Sequence, residues 1–211
     1  MSAFHVGLDL DNTVISYDEA FGKVGVEIGL LAASHGLRTK EDVKARLITP
    51  ARGEQDWMRL QGQVYGRHID SEVLSDGVAD CIHDLRRRGA RISIISHKTR
   101  AGHFDDAVNL WDAARGWLER RGFFSADGLG LDPADIHFLE TRDAKVAMIA
   151  AAGCAAFVDD LPEVLHHPAF PTATVGLWYA AERPESDGEG LAAYRSWAAI
   201  GKKITALMAS G

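Results

Sequence analysis

Five short apolar runs, each breaking off at polar residues, alternate with helix-like stretches, and this alternation constrains the fold more than any other feature. The runs are Phe4 to Leu8, Ala90 to Ile95, Ile136 to Leu139, Ala155 to Val158 and Ala173 to Trp178. Each is too short for a buried helix and suits a strand covered on both faces. Between them lie helical patterns at Val78 to Arg88 (which Gly89 would end), Ala101 to Arg121, Asp143 to Ala152 and Leu191 to Met208. In the second of these, Ala107, Leu110, Trp111, Ala114, Trp117 and Leu118 recur at helix spacing. Strand-helix alternation predicts an α/β protein whose parallel sheet is sandwiched between helices in three layers. Right-handed crossovers would then gather every strand C-terminus at one edge.

One segment breaks the rhythm. Val14 to Asp76 holds no convincing buried strand, but has helix-like stretches at Ala20 to His35 and Thr39 to Leu47 and a mixed region from Gln55 to Ile69, with Pro50 and Gly53 as punctuation. Ordinary strand-to-helix loops run to only about 2–6 residues, so this is read as a mostly helical insert of about sixty residues after the first strand.

With 211 residues, one large domain with a modest insert is the economical organisation. A net charge of -7 disfavours unspecific nucleic-acid binding, which needs a basic face. It leaves an anionic ligand open, because a bound divalent cation reverses the local sign of a site. The two cysteines, Cys81 and Cys154, sit among apolar or small neighbours and read as buried thiols, with no disulfide framework. No apolar run is long enough to span a membrane, and Met1 to Asp9 lacks a basic start and signal-like core. The expectation is a cytoplasmic monomer or homodimer with no membrane or nucleic-acid partner.

Four polar stations fall at strand ends or a helix start: Asp9/Asp11/Thr13, Ser96, Lys145 and Asp159-Asp160. In a parallel sheet such positions converge on one crevice. Asp9 and Asp159 offer hard oxygen ligands for Mg²⁺, and Asp160 could join them or orient a metal-bound water. Lys145 would supply a fixed positive charge and Ser96 a hydroxyl donor, so together they could hold a phosphoryl group. Asp9 could then attack phosphorus, with Asp11 as acid and base.

This order of motifs resembles the haloacid dehalogenase superfamily. The likeness rests on Asp9-Leu10-Asp11-Asn12-Thr13 after an apolar strand, Ser96 closing Ile94-Ile95, Lys145 opening a helix, and Val158-Asp159-Asp160. It implies a Rossmann-like core, residues 1–14 and 77–211, with a movable helical cap at 15–76. It also implies Asp9 as nucleophile, Asp11 as acid/base whose main-chain oxygen joins Asp9, Asp159 and Asp160 on Mg²⁺, and a phosphatase acting on a small phosphate ester. Relatives that cleave carbon–halogen bonds lack the second aspartate, so Asp11 favours phosphate chemistry. Asn12 stands where many relatives carry glycine.

Several residues carry plainer readings. Glu163 after Pro162 suits a helix N-terminus without any chemistry. Arg142 is the rival of Lys145. His97 and Lys98 are expected to face the crevice after Ser96 as candidate substrate or phosphate contacts, His97 foremost, and Thr13 to brace the loop through its hydroxyl. In the insert, Trp57, Arg59, Gln61, Tyr65, Arg67 and His68 could line a pocket for an anion or simply form its core. Phosphoryl transfer to a second hydroxyl, as in a mutase, would use the same stations. A phospho-accepting receiver module fits less well, because the Asp159-Asp160 pair follows the lysine and a long insert has no place in so compact a design.

Overall fold

The computed structural model describes residues 3–49, 54–102, 105–181 and 190–210. Pro50 and Gly53 lie outside these residues. The chain opens with β1 (His5–Leu8) and β2 (Ile15–Ser16), then runs through α1 (Asp18–Glu27), α2 (Lys40–Leu47) and α3 (Gln55–Tyr65). After β3 (Val73–Leu74) come α4 (Val78–Arg87), β4 (Arg91–His97), the short strands β5 (Ala101–Gly102) and β6 (Asp105–Asn109), and α5 (Leu110–Arg120). The last stretch holds β7 (Ile136–Leu139), α6 (Arg142–Ala152), β8 (Ala156–Asp159), α7 (Pro162–Leu165), β9 (Val175–Tyr179), β10 (Ala193–Tyr194) and α8 (Trp197–Ser210).

The chain divides into two compact units. The first comprises Met1–Ile15, Leu74–Lys98 and Gly122–Gly211; the second comprises Ser16–Val73 and Thr99–Arg121.

In the first unit six strands form one sheet in the order β10-β9-β8-β1-β4-β7, and all five neighbouring pairs are parallel. From β1 the chain builds outward through β4 and β7, then returns to add β8, β9 and β10 on the other side. That reversal leaves a crevice at the C-terminal end of β1, where α/β folds bind ligands. One face of the sheet is covered by Val146 and Ile149 of α6 and Val164 and Leu165 of α7. These pack on Ile95, Phe157 and Trp178. Helix α4 packs on β4 and against α8.

Glycine is required at position 7. A Cβ there would stand 2.5 Å from the Phe157 ring and 2.9 Å from Cys154 Sγ, closer than real Cβ atoms come. Both cysteines are buried and free. Burial pushes their thiols up, to about 12 at Cys81 and about 11 at Cys154, so neither is poised as a nucleophile.

In the second unit Thr39 caps α2 with a reciprocal pair of hydrogen bonds to Asp42. Phe21 of α1 stacks on Trp57 of α3 at 4.9 Å, and Tyr65 meets both Tyr17 and Phe21 edge-on. Trp57 is thereby core, at 5 % exposure. Arg59 and Arg67 are exposed, and His68 lies 3.5 Å from Glu27.

Three helices differ from expectation. The helix read over Ala20 to His35 stops at Glu27, and Gly29 follows with a positive φ of 75°. The helix read over Ala101 to Arg121 starts only at Leu110, where Asn109 caps it, and the residues before it pair as the antiparallel strands β5 and β6. The helix read from Leu191 begins at Trp197, because Ala193 and Tyr194 pair in parallel with Trp178 and Tyr179.

Candidate active site

Strand register brings the first two stations together. Leu8 pairs with Val158, and the Asp9 N–H donates to the Val158 carbonyl at 2.9 Å. The next residues on these neighbouring strands, Asp9 and Asp159, therefore stand side by side at the same edge of the sheet. Leu8 also pairs with Ile94 on its other side, which sets Ser96 at that edge too.

Beyond Asp9 the chain turns tightly. The amides of Thr13, Val14 and Ile15 all point at the Leu10 carbonyl, at 3.4, 3.0 and 2.9 Å. Asn12 takes the left-handed conformation this turn demands, with φ of 59°. Asparagine tolerates that region better than most residues. The Thr13 hydroxyl is buried and makes no hydrogen bond among the described residues, so it does not brace the loop as expected.

Lys145 enters from the first turn of α6, which Thr141 caps through its hydroxyl to the Ala144 N–H. Its ammonium is fully buried and donates to Asp9 Oδ1 and to Asp159 Oδ2, both at 2.6 Å. Asp159 Oδ1 also accepts the Leu161 N–H at 2.9 Å. Arg142, three residues earlier on the same helix, is exposed and is not part of the cluster.

Burial alone would lower the Lys145 ammonium, but the charges of Asp159 and Asp9 outweigh it and hold the group above the usual lysine range. Burial pushes the Asp159 carboxyl up to about 6; Lys145 opposes this and the neighbouring Asp9 charge adds to it.

Asp9, Asp159 and Asp160 each turn a carboxylate oxygen to one place, with these atoms within 4.8 Å of one another, and all three residues are buried. Asp9 and Asp159 share the Lys145 ammonium and Asp160 brings a third carboxylate beside them, a grouping whose negative charge a divalent cation would help to balance. An all-oxygen donor set of this kind suits Mg²⁺. The Asp160 carbonyl is itself tied down by the Trp178 indole N–H at 3.1 Å.

One expected residue falls differently. His97 is exposed, and its Nε2 lies 3.1 Å from the Glu140 carbonyl on the β7 side of β4; it is not brought to the carboxylates. Its neighbour Lys98 is. Lys98 is 4 % exposed, and its ammonium meets Asp11 Oδ2 at 2.7 Å and Oδ1 at 3.0 Å. The signal was in the sequence: side chains alternate along a strand, so Ser96 and Lys98 share a side and His97 takes the other. Glu163 is exposed in the first turn of α7, as its plain reading required.

No family model and no curated protein matches the chain. Solved structures do. A predicted phosphatase from Clostridium acetobutylicum superposes with a TM-score of 0.63 at 11 % identity, covering 97 % of this chain and 99 % of that one. A haloacid dehalogenase-like hydrolase from Streptococcus pneumoniae gives 0.61 at 12 % identity, over 96 % and 98 %. A predicted phosphoglycolate phosphatase from Haemophilus somnus gives 0.57 at 14 % identity, again over 96 % and 98 %. The fold is that of the haloacid dehalogenase hydrolases, a parallel α/β sheet of the expected class. Among the described residues no helix is long and apolar enough to cross a membrane.

Proposed function

We propose that this chain is a phosphatase of the haloacid dehalogenase superfamily that hydrolyses a small phosphate monoester, with Mg²⁺, through an aspartyl-phosphate on Asp9. The observation that carries this reading is the buried group formed by Asp9, Asp159, Asp160 and Lys145, drawn from two neighbouring strand ends and a helix start. The phosphatase names of two structures with the same fold support it.

The chain's own residues divide the work. A carboxylate oxygen of Asp9 attacks phosphorus; the bond from phosphorus to the ester oxygen breaks, and its electron pair leaves on that oxygen, which takes a proton from Asp11. Water then attacks the same phosphorus and gives a proton to Asp11. The bond from phosphorus to Asp9 breaks, and its electron pair returns to the carboxylate. Lys145 and the Ser96 hydroxyl hold phosphoryl oxygens throughout. A Mg²⁺ ion held by Asp9, Asp159, Asp160 and the Asp11 main-chain oxygen would supply charge neutralisation at the phosphoryl group. His97, engaged with the Glu140 carbonyl, has no part in this scheme. The second unit is our candidate for the cap that selects the substrate and excludes water.

A screen of phosphate monoesters with Mg²⁺ tests the proposal by release of inorganic phosphate. Asp9→Asn is expected to lower the best activity at least about a thousandfold with the fold intact. Undiminished release by that variant would refute it. Passage of phosphate to a second hydroxyl, with no inorganic phosphate formed, would favour a transferase using the same residues.

A further inference from the structure

Lys98 is a second buried ammonium beside the carboxylates, separate from Lys145, and nothing in the scheme above uses it. Its backbone is fixed: β4 and β7 pair as far as His97 and Leu139, and the Lys98 N–H continues the ladder by donating to the Leu139 carbonyl at 2.8 Å. A residue anchored there has its side chain on the Ser96 side, and the ammonium ends between the two oxygens of Asp11. A buried ammonium needs acceptors around it, and the Asp11 oxygens supply them here. The Asp11 side chain springs from a tight turn and is 17 % exposed, less enclosed than the 3 % exposed lysine that meets it.

We propose that Lys98 is a positioning residue that aims the Asp11 carboxyl group at the ester oxygen in the first chemical step and at the attacking water in the second. The proposal rests on the reading of Asp11 as acid and base. In the first step the bond from phosphorus to the ester oxygen breaks and the proton from Asp11 goes to that oxygen. A nitrophenolate leaves well without the proton, whereas an alkoxide does not. In the second step the proton passes from water to Asp11, whatever alcohol has departed. Loss of Lys98 must therefore harm the first step selectively and the second step for every substrate.

The test compares Lys98→Met and Lys98→Arg with wild type on p-nitrophenyl phosphate and on an alkyl phosphate that the wild type hydrolyses. For Lys98→Met, kcat/KM should fall about a hundredfold on the alkyl ester and stay within about threefold on the aryl ester, since positioned acid catalysis contributes about 10²–10⁴-fold. On the aryl ester kcat should fall while a burst of nitrophenol of about one equivalent appears, as phosphorylated enzyme accumulates. Lys98→Arg should recover part of the alkyl activity. Equal losses in kcat/KM on both esters, as damage to the fold or loss of a phosphate ligand would give, overturn the proposal.

A crystal structure of Lys98→Met gives an answer independent of turnover. The Asp11 side chain should leave its present rotamer while Asp9, Lys145 and Asp159 keep their contacts; an unmoved Asp11 overturns the proposal. If the wild type hydrolyses no ester, the phosphatase reading fails, and the crystallographic arm still decides whether Lys98 sets the direction of Asp11.

Discussion

Lys145 Nζ donates to Asp9 Oδ1 at 2.6 Å across 136 positions of sequence, and the same ammonium lies 2.6 Å from Asp159 Oδ2. It is the cation that allows carboxylates at adjacent strand ends to be buried together. Replacing it with methionine keeps much of the volume but leaves buried charge unpaired. Lys145→Met should therefore lower the stability of the metal-free protein by about 3–5 kcal/mol, the usual result of removing one partner of a buried ion pair. Urea unfolding in chelator measures this, and a change under 1 kcal/mol would mean the three groups do not act together.

Divalent metal should act in the same direction as Lys145. At a hundred times its dissociation constant, a ligand bound only by the folded state adds about 2.7 kcal/mol. Thermal unfolding should move upward with Mg²⁺ in wild type, and the shift should disappear in Asp159→Asn. A shift of equal size in that variant would put the ion somewhere other than on these carboxylates.

Asn12 sits at φ of 59° inside the turn that carries Asp11. Glycine takes this conformation freely, whereas other residues pay about 1–2 kcal/mol there. Asn12→Gly should keep stability and activity close to wild type, and Asn12→Val should lose about 2 kcal/mol or more, since β-branching worsens the strain. Equal stability of the two variants would show that the turn relaxes.

A pH effect is expected away from the site. Burial by itself would raise the Asp135 carboxyl, but hydrogen bonds from the Arg91 guanidinium, at 3.0 and 3.1 Å from Nε, outweigh it and hold the group below the usual carboxylate range. A carboxyl depressed in the folded state stabilises at neutral pH, and this is lost as the pH falls below about 4. Arg91 is 57 % exposed, so solvent screening keeps the effect near 1 kcal/mol. Asp135→Asn should be less stable than wild type by that amount at pH 7, and the gap should narrow as the pH falls below about 4. A difference independent of pH would assign the loss to packing.

The core was legible because its strands are short apolar runs that break off where chemistry begins. Ile136–Leu139 falls where the run alone put it, and Asp9, Ser96 and Asp159 lie within a residue of their strands' C-terminal ends. The second unit was harder. Asp105–Asn109 is a polar strand with no apolar alternation, and Ala101 and Ala107 happened to extend the real helical spacing of Leu110 to Leu118 backward. At Leu191 to Tyr194 the residues read as helix, and only pairing with β9 makes Ala193–Tyr194 a strand. Tertiary pairing overrides local pattern in such short segments. Lys98 was expected at the crevice and is found there, whereas His97 was placed with it because proximity to Ser96 was weighed and the strand's twofold alternation was not applied past its apolar end.

The central claim is that Asp9 is the carboxylate that takes the phosphoryl group. Beryllium trifluoride, which bonds to a carboxylate oxygen as a phosphoryl mimic, tests it without knowledge of the natural substrate. A crystal structure grown with Mg²⁺ and beryllium fluoride should show the adduct on Asp9, with the metal shared by Asp9 and Asp159. An adduct on Asp11, or a metal bound away from Asp9 and Asp159, would contradict the account.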